Sequence, residues 1–428
     1  MASSALQVAC AETATLQVSD GTGMQPKLSP PHTTLIPTVN IAPARGWPQG
    51  VAPRAAPDLR VVAFATGLNH PRWLTVLPNG DVLVAESNAP DRPDDGTGLK
   101  GFIMKLVMKR AGASTPSANR ITLLRDSHGT GVADIRTVLL EGLNSPFGMA
   151  LVGTDLYVAD TDALLRFPYA TGQTRITTLG VVVARLPAGT INHHWTKNVL
   201  ASEDGSKLFV TIGSNSNIGE NGMAAEAERA AIWEVDISSG THRIFASGLR
   251  NPNGLAWAPG GALWTVVNER DEFGSDLVPD YLTSVRDGGF YGWPYSYFGD
   301  HVDARVDPPR PDKVAKAAIP DYALGPHTAS LGLAASAGTT LPARFAKGMF
   351  VSQHGSWNRR PLSGYQVLFV PFDGARPSGA APLTVLTGFL DDQGRAFGRP
   401  VGVAIDGQGA LLVADDVGDV IWRVSAAQ

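Results

Sequence analysis

GLRNPNGLAWAPGGALWTVV, at residues 248–267, alternates two turns rich in glycine, proline and asparagine with two short apolar runs. Short apolar runs joined by a glycine-containing turn are typical of a β-hairpin. The whole chain has 47 glycines and 31 prolines among 428 residues, which indicates many short elements joined by tight connections. The stretch therefore predicts a hairpin whose leading turn carries Arg250 and Asn251.

The same order of turn, strand, turn and strand recurs along the chain. Clear copies occupy 67–87, 142–161 and 398–416, and degenerate copies begin at His193 and Gly348. Related units at a spacing of roughly 50–80 residues are typical of propeller blades with long insertions. The repeats predict an all-β fold, a six-bladed β-propeller with long blade-connecting loops over residues 58–428. A seventh blade within residues 126–142 is the alternative.

Residues 1–57 differ in texture from the repeats. They are rich in proline, threonine and alanine, as in LSPPHTTLIPTVNIAPA at 28–44, and they show little periodicity. Proline at this density disfavours helices and central strands. We expect an extended Pro-rich N-terminal leader that lies over the propeller.

Charge and apolar content argue against several classes of protein. The 35 basic and 39 acidic residues give a net charge of −4, which does not indicate a nucleic-acid or membrane-surface protein. No run of ~18 apolar residues predicts a transmembrane helix. Cys10 is the only cysteine, so a disulfide framework and a cysteine-based metal site are excluded.

The first residues lack the basic and apolar regions of a signal peptide. The protein is therefore expected to be cytosolic, or to have lost a signal peptide. Cys10 follows small residues, as a lipid-anchor site does, although Gln7 does not fit that pattern.

A propeller brings the leading turns of its repeats together around one end of the central channel. Residues far apart in sequence then converge at that end: Arg72, His194, Arg250 and Arg399. Histidine is a natural general base near neutral pH, which makes His193 and His194 catalytic candidates; a histidine that donates to a main-chain carbonyl is the alternative. Several arginines on one rim repel one another unless an anion joins them, so the rim predicts a polyanionic ligand, with a solvent-exposed Arg250 as the alternative.

Two further loops carry polar and aromatic residues. Segment 266–294 is an irregular loop whose carboxylates could bind calcium, with a solvated acidic loop as the alternative; the candidates are Glu269, Asp271, Glu272, Asp276 and Asp280. Loop 352–360, SQHGSWNRR, contains His354 and Arg359. The chain has no G-x-S-x-G elbow, P-loop or G-x-G-x-x-G fingerprint, so neither serine hydrolysis nor nucleotide-cofactor chemistry is favoured.

Four segments in order, GLRNPNGLAW, NERDEFGSDLVPDYL, GGFYGWP and QHGSWNR, resemble the glucose/sorbosone dehydrogenase family. The resemblance runs from about Val61 to Val424, and the leader and the last motif are most similar to the L-sorbosone dehydrogenase branch. It implies a soluble six-bladed propeller that uses pyrroloquinoline quinone (PQQ) and calcium (Ca2+).

The resemblance also implies a role for each matching position. His194 and Arg250 are the catalytic residues, with His194 as general base on the C1 hydroxyl of the substrate, and Arg250 and Asn251 hold the quinone carbonyls. The calcium position falls on residues 268–270, where the family uses main-chain carbonyls, and the metal candidates are Glu269, Arg270, Asp271 and Asp276. The remaining cofactor-binding candidates are Arg399, His354, Arg359 and Arg395, and the substrate candidates are Arg72, His193 and Trp293.

Two positions depart from the family pattern. The glucose-oxidising members have a lysine where SQHGSWN stands here, so either His354 or Arg359 takes its place. A second C-terminal arginine of those members aligns near Phe397, and Arg395 is the nearby candidate.

The resemblance implies oxidation of a sugar aldehyde or aldose, with L-sorbosone to 2-keto-L-gulonate favoured, by hydride transfer to the quinone. Such an enzyme passes electrons to an external acceptor, and it is expected in the periplasm or outside the cell after loss of a signal peptide. A calcium-dependent propeller lactonase and a non-catalytic recognition propeller are the alternatives, because fold alone does not determine function.

Overall fold

The hairpin at residues 248–267 folds as two antiparallel strands, Pro252–Trp257 and Leu263–Val267. The computed structural model describes residues 12–34, 38–90, 110–112 and 115–427. Cys10 lies outside these residues. In the described chain, six antiparallel sheets of at least four strands each follow one another in sequence. We number these sheets as blades 1 to 6 in the order in which their innermost strands occur in the sequence. The strands of each blade are given from the innermost to the outermost.

The first three blades come from consecutive segments of the chain. Blade 1 consists of Pro71–Val76, Val82–Glu86, Arg120–Arg125 and Ile135–Glu141. Blade 2 consists of Met149–Val152, Asp155–Ala159, Ala163–Pro168 and Val181–Arg185. Blade 3 consists of Val199–Ala201, Lys207–Ile212, Ala231–Asp236 and His242–Ser247, with Gly289–Phe290 added in parallel at its outer edge.

The other three blades complete the ring. Blade 4 consists of Pro252–Trp257, Leu263–Val267, Pro279–Ser284 and Tyr322–Pro326. Blade 5 consists of Ser330–Ala335, Gly348–Gln353, Gln366–Asp373 and Leu383–Thr387, and Arg376–Pro377 pairs with its third strand. Blade 6 consists of Pro400–Ile405, Leu411–Asp415, Val420–Ala426 and Leu59–Thr66.

The ring closes through blade 6, which joins the two ends of the repeat region. Strand Leu59–Thr66 pairs with the C-terminal strand Val420–Ala426, with Val61 opposite Val424. The prediction of a six-bladed propeller is confirmed. Residues 126–142 form no seventh blade, because they supply a turn and the outermost strand of blade 1.

One repeat boundary was predicted wrongly. The copy that begins at Gly348 starts with the second strand of blade 5, and the innermost strand is Ser330–Ala335. The leading turn of this blade, GPHTAS, lacks the Gly-Leu-Asn start of its relatives. It makes its bend instead with positive φ angles at His327 and Ala329, which are 56° and 50°. The residue in register with Arg250 in this blade is Thr328, and the repeat pattern did not reveal that the adjacent residue is the buried His327.

The blades pack face to face, and this explains why their strands read as continuous apolar runs. Every residue of the second strand of blade 1, Val82–Glu86, is buried, as is every residue of Leu263–Val267 in blade 4. A strand covered on both faces needs no alternation of apolar and polar residues. Each fully buried Val or Leu side chain contributes about 1.5–3 kcal/mol, so the core between neighbouring blades holds the ring together.

The described part of the leader runs along blades 4 to 6. Thr22–Gly23 adds a strand to blade 4, and Arg54–Ala55 adds one to blade 5. Between them, Trp47 stacks on Phe397 with ring centroids 5.3 Å apart and donates from Nε1 to Asp415, 2.6 Å away. The leader is therefore integrated with the propeller by strand pairing and aromatic packing.

Helices and small hairpins contribute little to the described chain. The helical turns are Val18–Gly21, Pro311–Val314 and Ala343–Phe345, and one separate hairpin joins Ser296–Tyr297 to His301–Val302. None of the helices in the described ranges has the length and apolar character required to span a membrane.

Candidate active site at one end of the channel

The turns that lead into the innermost strands share one supporting contact. A carboxylate at the end of the second strand accepts the main-chain N–H of the turn in three blades. Asp160 accepts from Asn144 at 2.8 Å, Asp415 from Arg399 at 2.7 Å, and Glu86 from Asn69. The recurring sequences YVAD, LVAD and LVAE therefore fix the leading turns at one end of the channel.

His194 lies on the leading turn of blade 3 and has the arrangement of a general base. Its Nδ1–H donates to the main-chain oxygen of Ser214, 2.8 Å away, which leaves Nε2 as the unprotonated nitrogen. Within the described chain, Nε2 has no hydrogen-bond partner. Burial and the nearby positive charge of Arg250 hold the pKa of His194 well below its ordinary value. The imidazole is therefore neutral near pH 7 and able to accept a proton at Nε2.

Arg250 is buried and fully engaged, so the alternative of a solvent-exposed arginine is wrong; its side chain is 5% exposed. Nη1 donates to the main-chain oxygens of Glu269 at 2.6 Å and Asn268 at 3.4 Å. Nη2 donates to the Asp271 carboxylate at 3.1 Å. The leading turn of blade 4 is thereby tied to the acidic loop of the same blade.

Asn217 connects these groups, although the sequence patterns did not indicate it. Its side-chain oxygen accepts from Arg250 Nη2 at 3.0 Å and from the main-chain N–H of Asp271 at 2.9 Å. Its main-chain oxygen accepts from Trp293 Nε1 at 2.9 Å. Trp293 is 3% exposed, and its indole N–H is occupied by this hydrogen bond to Asn217, so it is not available to a substrate.

Gly213 allows His194 and Asn251 to approach each other. A Cβ atom at position 213 would lie 2.4 Å from the Asn251 side-chain oxygen and 2.5 Å from the His194 Cβ. No side chain fits in that space. The Asn251 oxygen is buried and has no hydrogen-bond partner among the residues that the structure describes, so it is an acceptor available to a ligand donor.

Asp271 is the one predicted metal residue whose carboxylate faces this group. It accepts from Asn358 Nδ2 at 2.7 Å and lies 3.6 Å from His327 Nδ1. Burial would raise the pKa of Asp271, but Arg250, His327 and Asn358 outweigh burial and hold the pKa below its ordinary value. The carboxylate is therefore ionised, and it balances the charge of Arg250.

The other predicted metal side chains have structural roles. Glu269 pairs with the fully buried Arg270 at 3.0 Å, and Arg270 also pairs with Asp303 at 3.1 Å. Asp276 accepts from the main chain of Thr15 at 2.7 Å in the leader. Across residues 12–34, 38–90, 110–112 and 115–427, no three His, Cys, Asp or Glu side chains are arranged to hold a metal ion.

A second polar group, the Asp416 cluster, consists of Arg72, His354, Asp416 and Arg399. Asp416 Oδ2 accepts from Arg72 Nη1 at 2.5 Å and from His354 Nε2 at 2.9 Å. These contacts hold the pKa of the buried Asp416 well below its ordinary value, although burial alone would raise it. Arg399 lies 5.1 Å from the centre of the Tyr365 ring, and its Nη2 donates to the main-chain oxygen of Ala42.

Two donors in this cluster are left without acceptors. Arg72 Nε and Arg399 Nε are both buried, and neither has a hydrogen-bond partner in the described part of the chain. Buried guanidinium N–H groups normally bind carboxylate, phosphate or carbonyl oxygens. The Asp416 cluster is therefore short of anionic acceptors, which agrees with the predicted anionic ligand.

Three predicted residues lie outside both groups. Arg395 pairs with Asp391 at 2.7 Å and is 39% exposed, because residues 391–395 form a surface turn. Arg359 Nη2 donates to the main-chain oxygen of Leu16 at 2.9 Å, so it secures the leader. His193 is exposed and adjacent to His194. Of the two candidates for the lysine position, His354 is the one that joins the cationic cluster.

Six blades whose leading turns carry two groups of charged and polar side chains define a β-propeller with a candidate binding site at one end of its channel. The TrAA12-like family model matches residues 113–280 and 310–427, and the chain therefore belongs to the TrAA12-like family.

Similar proteins include fungal enzymes. The chain is 25% identical, over 85% of its length, to a pyrroloquinoline quinone-dependent pyranose dehydrogenase of Coprinopsis cinerea, and it spans about half, 53%, of that curated relative. A Trichoderma reesei carbohydrate-active enzyme of family AA12 has a TM-score of 0.70 and 20% identity, over 91% of this chain and 99% of that one. The holo pyranose dehydrogenase PQQ domain of Coprinopsis cinerea has a TM-score of 0.68 and 20% identity, over 90% and 100% of the two chains.

Proposed function

We propose that the protein is a PQQ-dependent dehydrogenase that oxidises a sugar aldehyde or aldose. The observation that carries this proposal is a neutral His194 with an unpaired Nε2, adjacent to the buried Arg250 and Asn251. The similarity to a PQQ-dependent pyranose dehydrogenase and membership of the TrAA12-like family support it.

The residues present fit PQQ, a tricarboxylate with an ortho-quinone. Arg72 and Arg399 have buried Nε–H donors that lack acceptors, and carboxylates are the acceptors that guanidinium groups bind most strongly. Arg250 and Asn251 would hold the quinone end. When bound, PQQ supplies the two-electron acceptor for the alcohol or hydrated aldehyde carbon.

His194 accepts the proton of the substrate hydroxyl at Nε2. The Ser214 carbonyl keeps the Nδ1–H in place, so it fixes the tautomer and stabilises the positive charge that develops on the ring. General-base assistance of this kind is worth ~10²–10⁴ in rate. Burial keeps the free imidazole neutral by lowering its pKa, and the charge of Arg250 adds to this because it disfavours a second positive group nearby.

Calcium is proposed as a second cofactor, held by the main-chain oxygens of Asn268 and Glu269 and by the Asp271 carboxylate. Calcium prefers carbonyl and carboxylate oxygens, and these three oxygens surround one guanidinium. Calorimetric titration of the apoprotein with calcium tests this site, since Asp271→Asn should weaken binding; equal binding by the variant would exclude Asp271.

The substrate is proposed to be a pyranose or a sugar aldehyde, with L-sorbosone as the particular candidate from sequence resemblance. A propeller lactonase is the second candidate, because Asn217 and Asn358 both hydrogen-bond to Asp271, and asparagine and aspartate side chains are residue types that bind calcium. We also propose a periplasmic or secreted location and an external electron acceptor.

A dye-coupled assay with aldoses, sugar aldehydes and lactones separates the candidates, if each substrate is tested with and without added PQQ and calcium. Dye reduction that requires PQQ supports the dehydrogenase. Lactone cleavage without PQQ supports the lactonase instead. A protein that neither binds PQQ nor turns over any of these substrates is a recognition propeller, and that result would overturn the proposal.

A further inference from the structure

His354 lies at the end of the second strand of blade 5, and neighbouring turns fix its backbone. Its main-chain N–H donates to the oxygen of Ala329 at 2.9 Å, and the N–H of Gly355 donates to the oxygen of Thr328 at 3.0 Å. The ring then reaches across to blade 6, where Nε2 lies 2.9 Å from Asp416. The position of this imidazole is therefore set from two blades.

The opposite nitrogen of His354 is available. Nε2–H donates to Asp416, so Nδ1 is the nitrogen that carries a proton only when the ring is positively charged. Among the described residues Nδ1 has no hydrogen-bond partner, and the His354 side chain is 19% exposed. His354 therefore presents an acceptor in its neutral form and a charged donor in its protonated form.

The charged and titratable groups that face His354 are Asp416 and Arg399 of blade 6 and Arg72 and His70 of blade 1. Burial lowers the pKa of His354, Asp416 raises it, and the two arginines lower it further, with a lowered pKa as the result. His70 is also neutral near pH 7, because burial lowers its pKa to about 4. The free cluster thus contains two guanidinium charges and one carboxylate near neutral pH.

We propose that His354 is a proton-dependent clamp for a carboxylate of the anionic cofactor, so that cofactor binding takes up a proton on this imidazole. The free cluster has one more positive than negative charge. A cofactor carboxylate beside Nδ1 would balance that charge, and it would also stabilise the protonated form of His354. Arg72 Nε and Arg399 Nε, the two buried donors without acceptors, provide the fixed part of the same clamp. A lysine at this position would stay charged at all physiological pH values, whereas histidine makes the grip depend on pH.

The sign of the effect follows from linkage. An anionic ligand raises the pKa of His354 in the complex above its value in the free protein. Between those two pKa values the complex holds one more proton than the free components, so affinity falls as pH rises. The slope reaches at most about tenfold in Kd per pH unit.

The inference rests on the proposed function, and binding rather than turnover tests it. PQQ is titrated into the apoprotein by calorimetry from about pH 6 to pH 8.5, in buffers with different ionisation enthalpies, so that proton uptake is measured directly. Wild type should take up close to one proton and bind more weakly as pH rises. His354→Lys should bind without this uptake and with a flatter pH profile, and His354→Gln should bind several-fold more weakly at about pH 6.

His128→Gln is the matched control, because His128 is exposed and pairs with Asp134 on the surface of blade 1. Titration of PQQ itself, or of His194, would appear equally in all variants. Proton uptake that persists in both His354→Lys and His354→Gln would overturn the inference and leave PQQ binding intact. An absence of PQQ binding at every pH would overturn the proposed function as well.

Discussion

Arg250 donates a 2.6 Å hydrogen bond to the main-chain oxygen of Glu269, so a guanidinium and the proposed calcium position share one acceptor. This contact explains how an arginine in a Gly/Pro-rich turn can be buried, because main-chain oxygens satisfy its donors in place of water. The turn holds it against the end of the neighbouring strand, where the main-chain oxygens of Asn268 and Glu269 accept its hydrogen bonds.

Arg250→Ala should weaken PQQ binding, because it removes the guanidinium that ties the leading turn of blade 4 to the acidic loop and leaves Asp271 without its main counter-charge. A hydrogen bond to a charged group is worth about 1.5–3 kcal/mol, so the dissociation constant should rise roughly 10- to 150-fold. Calorimetric titration of the apoprotein measures it. Arg243→Ala is the control, since Arg243 pairs with Glu234 on the surface of blade 3; equal affinities in the Arg250 variant and wild type would exclude Arg250 as a ligand.

Gly213→Ala should lower turnover roughly 100-fold, because a displacement of about 1 Å at a catalytic group costs that much. The added Cβ would collide with the Asn251 oxygen and the His194 Cβ. Steady-state kinetics measure the loss. Gly407→Ala is a suitable control, because its nearest neighbour would be 3.6 Å away, at Gly80 in a peripheral turn. Full activity in Gly213→Ala would show that His194 and Asn251 need no close approach.

Asp276→Asn should destabilise the protein by about 1–2 kcal/mol and leave calcium binding unchanged. The carboxylate holds the leader through Thr15 and Leu16, and it makes no contact with Arg250. Thermal unfolding with and without calcium separates stability from metal binding. The exposed Asp287→Asn serves as a control. A loss of calcium affinity in Asp276→Asn would instead identify Asp276 as a ligand.

Asp160→Asn should stabilise the protein near pH 8 and have little effect near pH 4. Burial raises the pKa of Asp160 from its ordinary value to about 7, so the folded state favours the protonated form. Stability from this group is therefore fully present below pH ~3.8 and is lost as pH rises through ~7. Melting temperatures across this range provide the measurement, with Asp155→Asn of the same blade as control. A constant difference at all pH values would contradict the assignment.

The repeated hairpins were sufficient to predict the blade number, because glycine and proline mark each turn and buried strands read as apolar runs. The start of blade 5 was predicted at the wrong strand, because its leading turn bends at His327 and Ala329 and lacks the glycine-containing motif of the clear repeats. His194, Arg250 and Asn251 were identifiable from their equivalent positions in successive turns. The pattern gave no indication that the leading turn of blade 5 contains the buried His327.

The remaining partners of the site could not be predicted, since they depend on contacts between blades. Asn217 lies in an insertion and accepts a hydrogen bond from Arg250. Asp416 accepts hydrogen bonds from Arg72 of blade 1 and His354 of blade 5. Asp276 and Arg359 matched motifs and yet bind the leader, whose path no repeat determines. Arg395 was placed by proximity in sequence, but a tight surface turn directs it to Asp391.

The most direct test of the central claim is turnover by His194→Ala after its PQQ content has been measured. The account predicts PQQ affinity close to wild type and a fall in kcat of ~10²–10⁴, because only the proton acceptor is lost. His301→Ala, which changes an exposed histidine of the separate hairpin, should keep wild-type rates. Unchanged turnover in a fully loaded His194→Ala enzyme would contradict the assignment of His194 as the general base.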